Sequence, residues 1–437
     1  MVRLGEVVRS GEAVRSGEAV RSGETSQADG LRRHWALDPD VTYLNHGAFG
    51  SCPWPVLSAQ AEWRERMERH PVRFHDVELE ANLAYARERL GAFLHAEASD
   101  LAFVPNATTG VNTVLASLDF RPGDEILSTD HEYNACLNAA RRVAAKHGAT
   151  VVVAPLPFPT SSPDEMAAAL LERVTPRTRL LLVSHVTSPT GIRLPVERLV
   201  PELASRGIDT LIDGAHAPGM LSLDIDALGA AYYTGTCHKW LCAPKGAGFL
   251  HVRRDRQALI HPLVTSHGAN SPRADESLFR LEFDWTGTVD PTAYLSIPAA
   301  LEFVGGLLSG GWADVKRHNH DLVVAGRQKL LDVVGGVPLA PKSMLGSLAT
   351  IELPDSVTPS PVAPAADADH HATYPLDPLR DALSDEDLIE VPVFTWPHTP
   401  ADAAPPRRLL RISAQLYNNP ADYDRLASAL AARMQRA

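Results

Sequence analysis

Lysine is scarce in this chain, with only six copies against 35 arginines among 437 residues. Cysteine is also scarce, and the four copies show neither a Cys-x-x-Cys pair nor a zinc-ligand spacing, which argues against a disulfide framework and a structural zinc motif. No run of about 18 apolar residues predicts a membrane helix, and no apolar N-terminal segment predicts a secretory signal. The formal net charge is −12, whereas nucleic acids require a basic surface. We therefore expect a cytoplasmic protein without membrane or nucleic-acid partners.

A hexamer repeat occupies the N-terminus, where VRLGEV, VRSGEA, VRSGEA and VRSGET follow one another. Glycine at every sixth position weakens a helix, and the repeat has too few bulky apolar residues to build a core. We predict a disordered tail over residues 1–30 and an N-terminal arm over residues 31–60.

Strands and helices alternate over residues 61–298, where segments such as LAFVPN, DEILSTD, RLLLVSHV and DTLIDGAH are separated by helical patterns. This alternation predicts a mainly parallel sheet with helices on both faces, and therefore a large α/β domain. The alternation ends near residue 298, and the pattern over residues 299–437 predicts a smaller α+β domain. This domain begins with one long predicted helix from Pro298 to about Val334. A segment at 354–375 that is rich in Pro, Ala and Asp predicts a mobile surface loop.

Polar side chains follow the predicted parallel strands, whose carboxyl ends form the ligand-binding edge of such sheets. NATTG follows one strand and opens a helix, where free backbone N–H groups favour a phosphate. Tyr133, Asp213 and Lys239 follow other strands and offer a stacking ring, an acid for a pyridine nitrogen and an amine for a Schiff base. Each residue alone is more often structural, but their order predicts pyridoxal 5′-phosphate (PLP) as the cofactor.

Seven motifs in sequence carry a resemblance to a known family: YLNHGAFGSCP, VPNATTGVN, DHEYNA, VSHVTSPTG, DGAHAPG, TGTCHKWLCAPKGAGFL and DWTGTVDPT. Together they resemble the class V aminotransferase family of fold type I PLP enzymes, and within it the isopenicillin N epimerase group. The resemblance extends over roughly residues 40–435, which excludes the hexamer repeat, and the segment 354–375 resembles an insertion. It implies the α/β fold of a fold type I PLP-dependent transferase, with a large PLP-binding domain and a smaller C-terminal domain.

Matched residue by residue, the resemblance implies that Lys239 forms the Schiff base. It places Asp213 at the pyridine nitrogen, His216 near the phenolic oxygen of the ring and Tyr133 at the position of the stacking ring. It also implies further cofactor contacts, from Thr187 and Ser188 at the ring and from Thr108, Thr109, Thr236 and His238 at the phosphate.

Other matched residues concern the substrate and the partner subunit. Thr288, in WTGTVDPT, resembles a residue that reaches the phosphate of the neighbouring subunit, which implies a homodimer with shared active sites. Arg411, in LLRISAQLYNN, matches the arginine that binds the α-carboxylate of an amino-acid substrate, for which its planar fork is well suited. Asn45 and His46 are candidates for substrate contacts, and His46 is also a candidate second acid/base. No metal site is predicted, because RHNHD and DHH lack a third ligand.

The reaction depends on the step after activation of the substrate α-carbon, because the same core residues serve several outcomes. An epimerase-like reaction in secondary metabolism, such as antibiotic biosynthesis, ranks first on the resemblance alone. A carbon–sulfur β-lyase ranks second, and an aminotransferase or decarboxylating deaminase third. An inactive PLP-fold binding protein is the alternative outside the enzymes. Residues 354–411 contain no cysteine, which disfavours the persulfide chemistry of cysteine desulfurases.

Overall fold

The computed structural model describes residues 27–357, 377–397 and 406–434. Most of the predicted tail and most of the predicted mobile loop lie outside these residues, and both remain predictions. Of the tail, residues 27–30 are described and begin a helix. No helix in the described ranges is long and apolar enough to cross a membrane.

Twelve strands are present in the part of the chain that the structure describes. They are β1 Thr42–Tyr43, β2 Leu101–Val104, β3 Glu125–Thr129, β4 Thr150–Ala154, β5 Thr178–Ser184, β6 Asp209–Gly214, β7 Tyr232–Thr236, β8 Gly248–Val252, β9 Leu348–Glu352, β10 Ile389–Glu390, β11 Val393–Trp396 and β12 Arg407–Ser413. Seven of them form the main sheet in the order β2-β8-β7-β6-β5-β3-β4. Strands β3 to β7 pair in parallel, whereas β8 is antiparallel to both of its neighbours.

The α-helices of the described ranges are α1 Gln27–Arg32, α2 His46–Phe49, α3 Trp54–Arg69, α4 Pro71–Arg73, α5 Leu79–Leu94, α6 Ala107–Ser117, α7 Asn134–His147, α8 Pro163–Leu171, α9 Val196–Ser205, α10 Ile225–Leu228, α11 Leu278–Asp284, α12 Thr292–Leu295, α13 Ile297–Gly305, α14 Gly311–Val334, α15 Pro378–Asp385 and α16 Pro420–Met434. A π-helical turn, Phe74–Glu78, joins α4 to α5.

Helices cover both faces of the main sheet, as the apolar strand runs predict. In β5, Leu181 and Val183 pack into one hydrophobic core together with α5, α8 and α9. Leu180 and Leu182 point to the other face and pack with α6 and α7. Each fully buried leucine of this kind stabilises the fold by about 1.5–3 kcal/mol relative to exposure. The predicted α/β architecture with its mainly parallel sheet is therefore confirmed.

A second, antiparallel sheet in the order β11-β12-β9 packs with α14 and α16 around its own core. The short strand β1 pairs in parallel with β10, so the N-terminal arm is tied to this smaller unit. Strand β12 carries Arg411 at its centre, paired with Thr350 of β9.

The long helix predicted from Pro298 to about Val334 is wrong in one respect, because the structure has two helices there. Helix α13 ends at Gly305 and α14 begins at Gly311, with GLLSG between them. Gly311 has a φ of +64°, which an L side chain rarely adopts. The glycines therefore end the first helix and turn the chain before the second begins.

Candidate active site

The predicted site residues come together where the parallel strands of the main sheet end. Lys239 lies three residues beyond β7, His216 two residues beyond β6, and Ser188 four residues beyond β5. Asp213 is the next-to-last residue of β6 and pairs with Ser184 of β5. Because neighbouring parallel strands end at the same edge of a sheet, these side chains face one cleft.

Lys239 belongs to a short chain of hydrogen-bonding side chains. Its Nζ lies 3.2 Å from His216 Nε2, and the indole N–H of Trp240 donates to His216 Nδ1 at 3.3 Å. A neutral imidazole carries one proton, so a ring that accepts at Nδ1 carries that proton on Nε2. The Nε2–H then faces Lys239 Nζ, which must accept, and a lysine accepts only as the neutral amine.

The electrostatic environment also favours a neutral Lys239. The pKa of Lys239 is lowered to about 8, chiefly by burial and next by the positive charge of Arg411, whereas Asp213 acts in the opposite direction. Burial also holds the pKa of His216 well below its ordinary value, with a further contribution from Lys239. A lysine amine that is partly neutral near pH 7–8 can take and return a proton.

Asp213 is a buried carboxylate whose hydrogen-bond donors are neutral groups. Oδ1 accepts from the backbone N–H of Ala215 at 2.9 Å, and Oδ2 accepts from the thiol of Cys136 at 3.2 Å. Burial raises the pKa of Asp213, whereas these hydrogen bonds and Lys239 lower it. A buried anion of this kind is stabilised by a cation, and a protonated pyridine nitrogen supplies one.

The start of α6 is the predicted phosphate cradle. The side chain of Asn106 caps this helix and accepts from the backbone N–H of Thr109 at 2.9 Å. The N–H groups of the two preceding helical residues, one of them Thr108, lack intrahelical acceptors and are free for an anion. Helix α6 packs closely on β7, since a Cβ on Gly110 would lie 2.1 Å from Thr234 Oγ1. Glycine at this position therefore allows the helix start to approach the strand ends.

Two other residues matched to the phosphate lie beside this helix start, at the end of β7. Thr236 is buried and donates its hydroxyl to the carbonyl of Ala215 at 2.7 Å. His238 is half-buried, and its Nδ1 lies 3.2 Å from the carbonyl of Ala247. Burial lowers the pKa of His238 to about 4, with Lys239 as the next cause. Both side chains are therefore held by backbone oxygens.

Arg411 reaches into the cleft from β12 and meets the loop after β5. Its Nη1 donates to the backbone carbonyl of Ser188 and lies 3.4 Å from Ser188 Oγ. Burial lowers the pKa of Arg411 to about 10, and none of the groups that raise it is a carboxylate of the described residues. Tyr133, which is 45% exposed, lies near enough to contribute to that pKa. A buried guanidinium without an acidic partner is suited to bind a carboxylate from outside the chain.

Thr187, predicted beside Ser188 as a ring contact, has its hydroxyl engaged within its own loop. Its Oγ1 lies 2.7 Å from Thr190 Oγ1 and accepts from the backbone N–H of Ile192 at 2.9 Å. Thr187 thus shapes the turn that presents Ser188 to Arg411.

The NHG turn packs directly behind the lysine. His46 is fully buried, with Nδ1 2.8 Å from the hydroxyl of Tyr417 and Nε2 3.0 Å from the backbone carbonyl of Lys239. Burial lowers the pKa of His46 to about 3, so the ring is neutral. Both ring nitrogens therefore have hydrogen-bonding partners, and the partner of Nε2 is the main-chain carbonyl of Lys239. Gly50, at the end of this turn, has a φ of +68°, and a Cβ there would lie 2.0 Å from the carbonyl oxygen of His238.

The two remaining predicted residues are Asn45 and Thr288. Asn45 precedes the turn and interacts through its side chain with Glu390 of β10. Thr288 is exposed, in the loop between α11 and α12. That loop borders a cavity of about 380 Å³ that Thr109 also lines. Within one chain, therefore, Thr288 does not join the cluster around Lys239.

Sequence reasoning assigned no role to four side chains that the structure places in or beside the cluster: Glu132, Cys136, Trp240 and Tyr417. Two of them, Glu132 and Trp240, lie within motifs already recognised, next to a predicted residue. Their partners are distant in sequence, however, as for Cys136 and Asp213, which are 77 residues apart. Sequence spacing alone therefore carries no signal for these contacts.

The donor set of this cleft fits PLP. Asp213 offers a buried carboxylate that forms no ion pair with a described residue, Lys239 offers a neutral amine, and the start of α6 offers free N–H groups. Arg411, which has no acidic partner among the described residues, is then available for a further carboxylate. This division of charges leaves each buried ion with one partner of opposite charge when cofactor and substrate are present.

Comparison with known proteins agrees with this geometry. The model of the family described as aminotransferase class-V matches residues 42–365. The isopenicillin N epimerase of Amycolatopsis lactamdurans is 37% identical over 413 residues, which cover 91% of this chain and 96% of that protein. The isopenicillin N epimerase of Streptomyces clavuligerus is 34% identical with the same coverage. A probable chloroplastic L-cysteine desulfhydrase of Arabidopsis thaliana is 31% identical, covering 90% and 83% of the two chains.

Solved structures share the fold. The Escherichia coli cysteine desulfurase CsdA superposes with a TM-score of 0.73 at 22% identity, covering 94% of this chain and 98% of that one. The cystine C–S lyase C-DES, in complex with cysteine persulfide, gives a TM-score of 0.72 at 23% identity, covering 90% and 98%. At these identities the likeness concerns the fold. Together with the family match, it confirms the fold type I architecture predicted from the sequence.

Proposed function

Because the chain belongs to the class V aminotransferase family, we propose that it moves a proton at the α-carbon of an amino-acid substrate, as isopenicillin N epimerase does. The chain is a PLP-dependent enzyme of that family. The observation that carries the reaction is its similarity to two isopenicillin N epimerases along nearly their whole length. The geometry around Lys239 supplies the group that such a reaction needs.

PLP, when bound, supplies an electron sink that stabilises negative charge at the substrate α-carbon. Lys239 would hold its carbonyl carbon, Asp213 its ring nitrogen and the start of α6 its phosphate, where Thr108, Thr109, Thr236 and His238 lie. Tyr133 would cover one face of the ring, and Ser188 would contact its edge.

Lys239 is the acid/base in this proposal. Once its amine is released, Nζ takes the α-proton from one face of the α-carbon, and inversion then requires that a proton from solvent be delivered to the opposite face. The His216 Nε2–H favours the neutral amine that must accept this proton, and Trp240 keeps His216 in the required tautomer. His46 fixes the backbone at Lys239 through its hydrogen bond to the Lys239 carbonyl. We therefore assign His46 a positioning role, because both of its ring nitrogens are engaged.

Arg411 binds the substrate carboxylate. The guanidinium is buried, and the backbone carbonyl of Ser188 holds it at the cleft. One salt bridge to the α-carboxylate would orient the α-carbon toward Lys239, and a fixed orientation is a large part of catalysis in such sites.

A carbon–sulfur lyase is the second candidate, because relatives named L-cysteine desulfhydrase reach 31% identity over 90% of the chain. Expulsion of a thiol from Cβ needs the same α-proton transfer, so Lys239 and Arg411 would keep their roles. Persulfide chemistry is disfavoured, because residues 354–411 contain no cysteine. Cys237, two residues before Lys239, is fully buried in the hydrophobic core.

We also propose a homodimer with shared sites. Exposed apolar side chains, Leu263, Val264 and Val289, border the cavity next to Thr288. Their accessible fractions are each above one half, which is unusual for aliphatic side chains clustered on one surface of a monomer. Light scattering of the wild type and of Val289→Asp tests this proposal. A dimer that the variant weakens supports it, whereas a monomeric holoenzyme with full activity would contradict it.

The reaction is tested by product analysis with two substrates. The holoenzyme is incubated with isopenicillin N and, separately, with L-cysteine. Chiral chromatography detects an epimer, and assays for pyruvate and sulfide detect elimination. We expect the epimer from the first substrate. Pyruvate and sulfide from the second, without any epimer from the first, would establish the lyase instead.

A further inference from the structure

A second buried acid, Glu132, lies beside Asp213. One ligand atom each of Glu132, Cys136 and Asp213 lies within 4.8 Å of the other two. Glu132 is 4% exposed and Asp213 is 3% exposed. Two carboxylates this close in a buried site repel each other, so they share one proton near neutral pH.

The hydrogen bonds of the two acids are not equivalent. Both oxygens of Asp213 accept hydrogen bonds, from the Ala215 N–H and from the Cys136 thiol. In Glu132 only Oε1 accepts hydrogen bonds from the described residues. Its donors are the hydroxyl of Ser184, at 2.6 Å, and the backbone N–H of the residue after Glu132, at 2.8 Å. Oε2 of Glu132 is buried and has no hydrogen-bond partner among the residues that the structure describes.

These contacts decide where the proton lies. An ionised Glu132 would bury a charged oxygen with no donor, which is costly. A neutral Glu132 can carry its proton on Oε2. Oε1 then remains unprotonated and keeps both of its hydrogen bonds. Asp213 has donors on both oxygens and Lys239 nearby, so it is the better site for the negative charge.

We infer that Glu132 is the protonated member of the pair and acts as a positioning residue, so that the ring nitrogen of the cofactor faces a single negative charge on Asp213. This inference builds on the proposed function, which places the ring nitrogen at Asp213. The electrostatics agree, because burial, followed by the charge of Asp213, raises the pKa of Glu132 to about 7.

The groups that surround the pair of acids come from four elements. Ser184 ends β5, Asp213 lies near the end of β6, Cys136 lies in the first turn of α7, and Lys239 lies beyond β7. Lys239 acts on Asp213 and on Cys136. Ionisation of Glu132 at higher pH would therefore add a second negative charge to the surroundings of the ring nitrogen. The bound cofactor should report that change in its visible absorbance.

Infrared spectroscopy of the holoenzyme with ¹³C-carboxyl-labelled glutamate tests the inference. Below about pH 7 the wild type should show one protonated-carboxyl band that shifts with the label, and Glu132→Gln should lack it. The visible absorbance of the bound cofactor should show one titration step fewer in Glu132→Gln than in the wild type. Glu125→Gln is the matched control, because Glu125 is equally buried at the start of β3 but is paired with Arg177.

A wild-type spectrum without a protonated glutamate band would overturn the inference, and so would a band that Glu132→Gln retains. If Glu132→Gln does not fold, the labelled wild type alone still tests the first of these outcomes, the absence of a protonated glutamate band. A purified protein that binds no PLP would refute the proposed function. The infrared result would still test the inference, because the carboxyl pair belongs to the chain itself.

Discussion

Replacing Arg411 by lysine should raise KM for the amino-acid substrate and leave the affinity for PLP nearly unchanged. The guanidinium is buried at 7% exposure, and its hydrogen-bonding contacts in the described part of the chain are with Ser188. In our proposal the phosphate is bound elsewhere, by the start of α6 and the end of β7. An ammonium keeps the charge but cannot make two parallel hydrogen bonds to a carboxylate.

The magnitude is set by the loss of one partner of a buried, charged hydrogen bond, which costs about 2–5 kcal/mol. Lysine retains the charge, so the lower end applies, and about 2 kcal/mol corresponds to a KM raised roughly 30-fold. Arg411→Ala removes the charge as well, so its cost should approach the upper end of this range. A cost of ~5 kcal/mol corresponds to a KM raised several-thousand-fold. Steady-state kinetics gives KM, and titration of PLP into the apo-protein gives the cofactor Kd.

Arg408→Lys is the matched control for this experiment. Arg408 lies on the same strand but is paired with Asp377, away from the cleft. Its substitution should leave both KM and the PLP Kd unaltered. A weaker PLP affinity in Arg411→Lys, with the wild-type KM, would refute the assignment and move Arg411 to the phosphate.

Two further predictions concern the residues behind the cofactor. Asp213→Asn should lower kcat far more than it weakens PLP binding, because the ring nitrogen loses the carboxylate that holds its proton. Asp209→Asn, at the other end of β6 and paired with Arg256, is the control, and a near-normal kcat in Asp213→Asn would disprove the pairing. His46 has a folded pKa lowered by burial to about 3, so between that value and about 6.5 the unfolded state binds the proton and stability falls as pH falls. The loss is roughly 3 kcal/mol at about pH 4.5, and urea unfolding of His46→Gln should show a shallower decline than the wild type. An equal decline in both proteins would show that His46 titrates normally.

The fold could be predicted because its main signals are local. Runs such as RLLLVSHV at strand length, separated by helical patterns, indicate strands buried on both faces, and β5 packs into two cores as that pattern requires. The edge that carries Lys239, Asp213 and Ser188 is then determined, because parallel strands end together. The break between α13 and α14 was missed, because an apolar helical period continues through GLLSG although its glycines end the helix.

The contacts that tune the site could not be predicted from the sequence. His46 lies within hydrogen-bonding distance of the carbonyl of Lys239 across 193 residues. Glu132 lies beside Asp213 only because β3, which it follows, and β6 end at the same edge of the sheet. A histidine in a turn and a glutamate before a helix have ordinary local roles in a sequence. Only the three-dimensional arrangement shows that both ring nitrogens of the histidine have hydrogen-bonding partners and that the glutamate lies beside a second buried carboxylate.

Transfer of the α-proton by Lys239 is most directly tested by isotope exchange. The holoenzyme and Lys239→Ala are incubated with the substrate in D2O, and the recovered substrate and product are analysed by mass spectrometry and chiral chromatography. We predict that the wild type introduces deuterium at the α-carbon with inversion of configuration, and that Lys239→Ala introduces none. Epimerisation by the wild type without deuterium at the α-carbon, or exchange that continues in Lys239→Ala, would contradict the role assigned to this lysine.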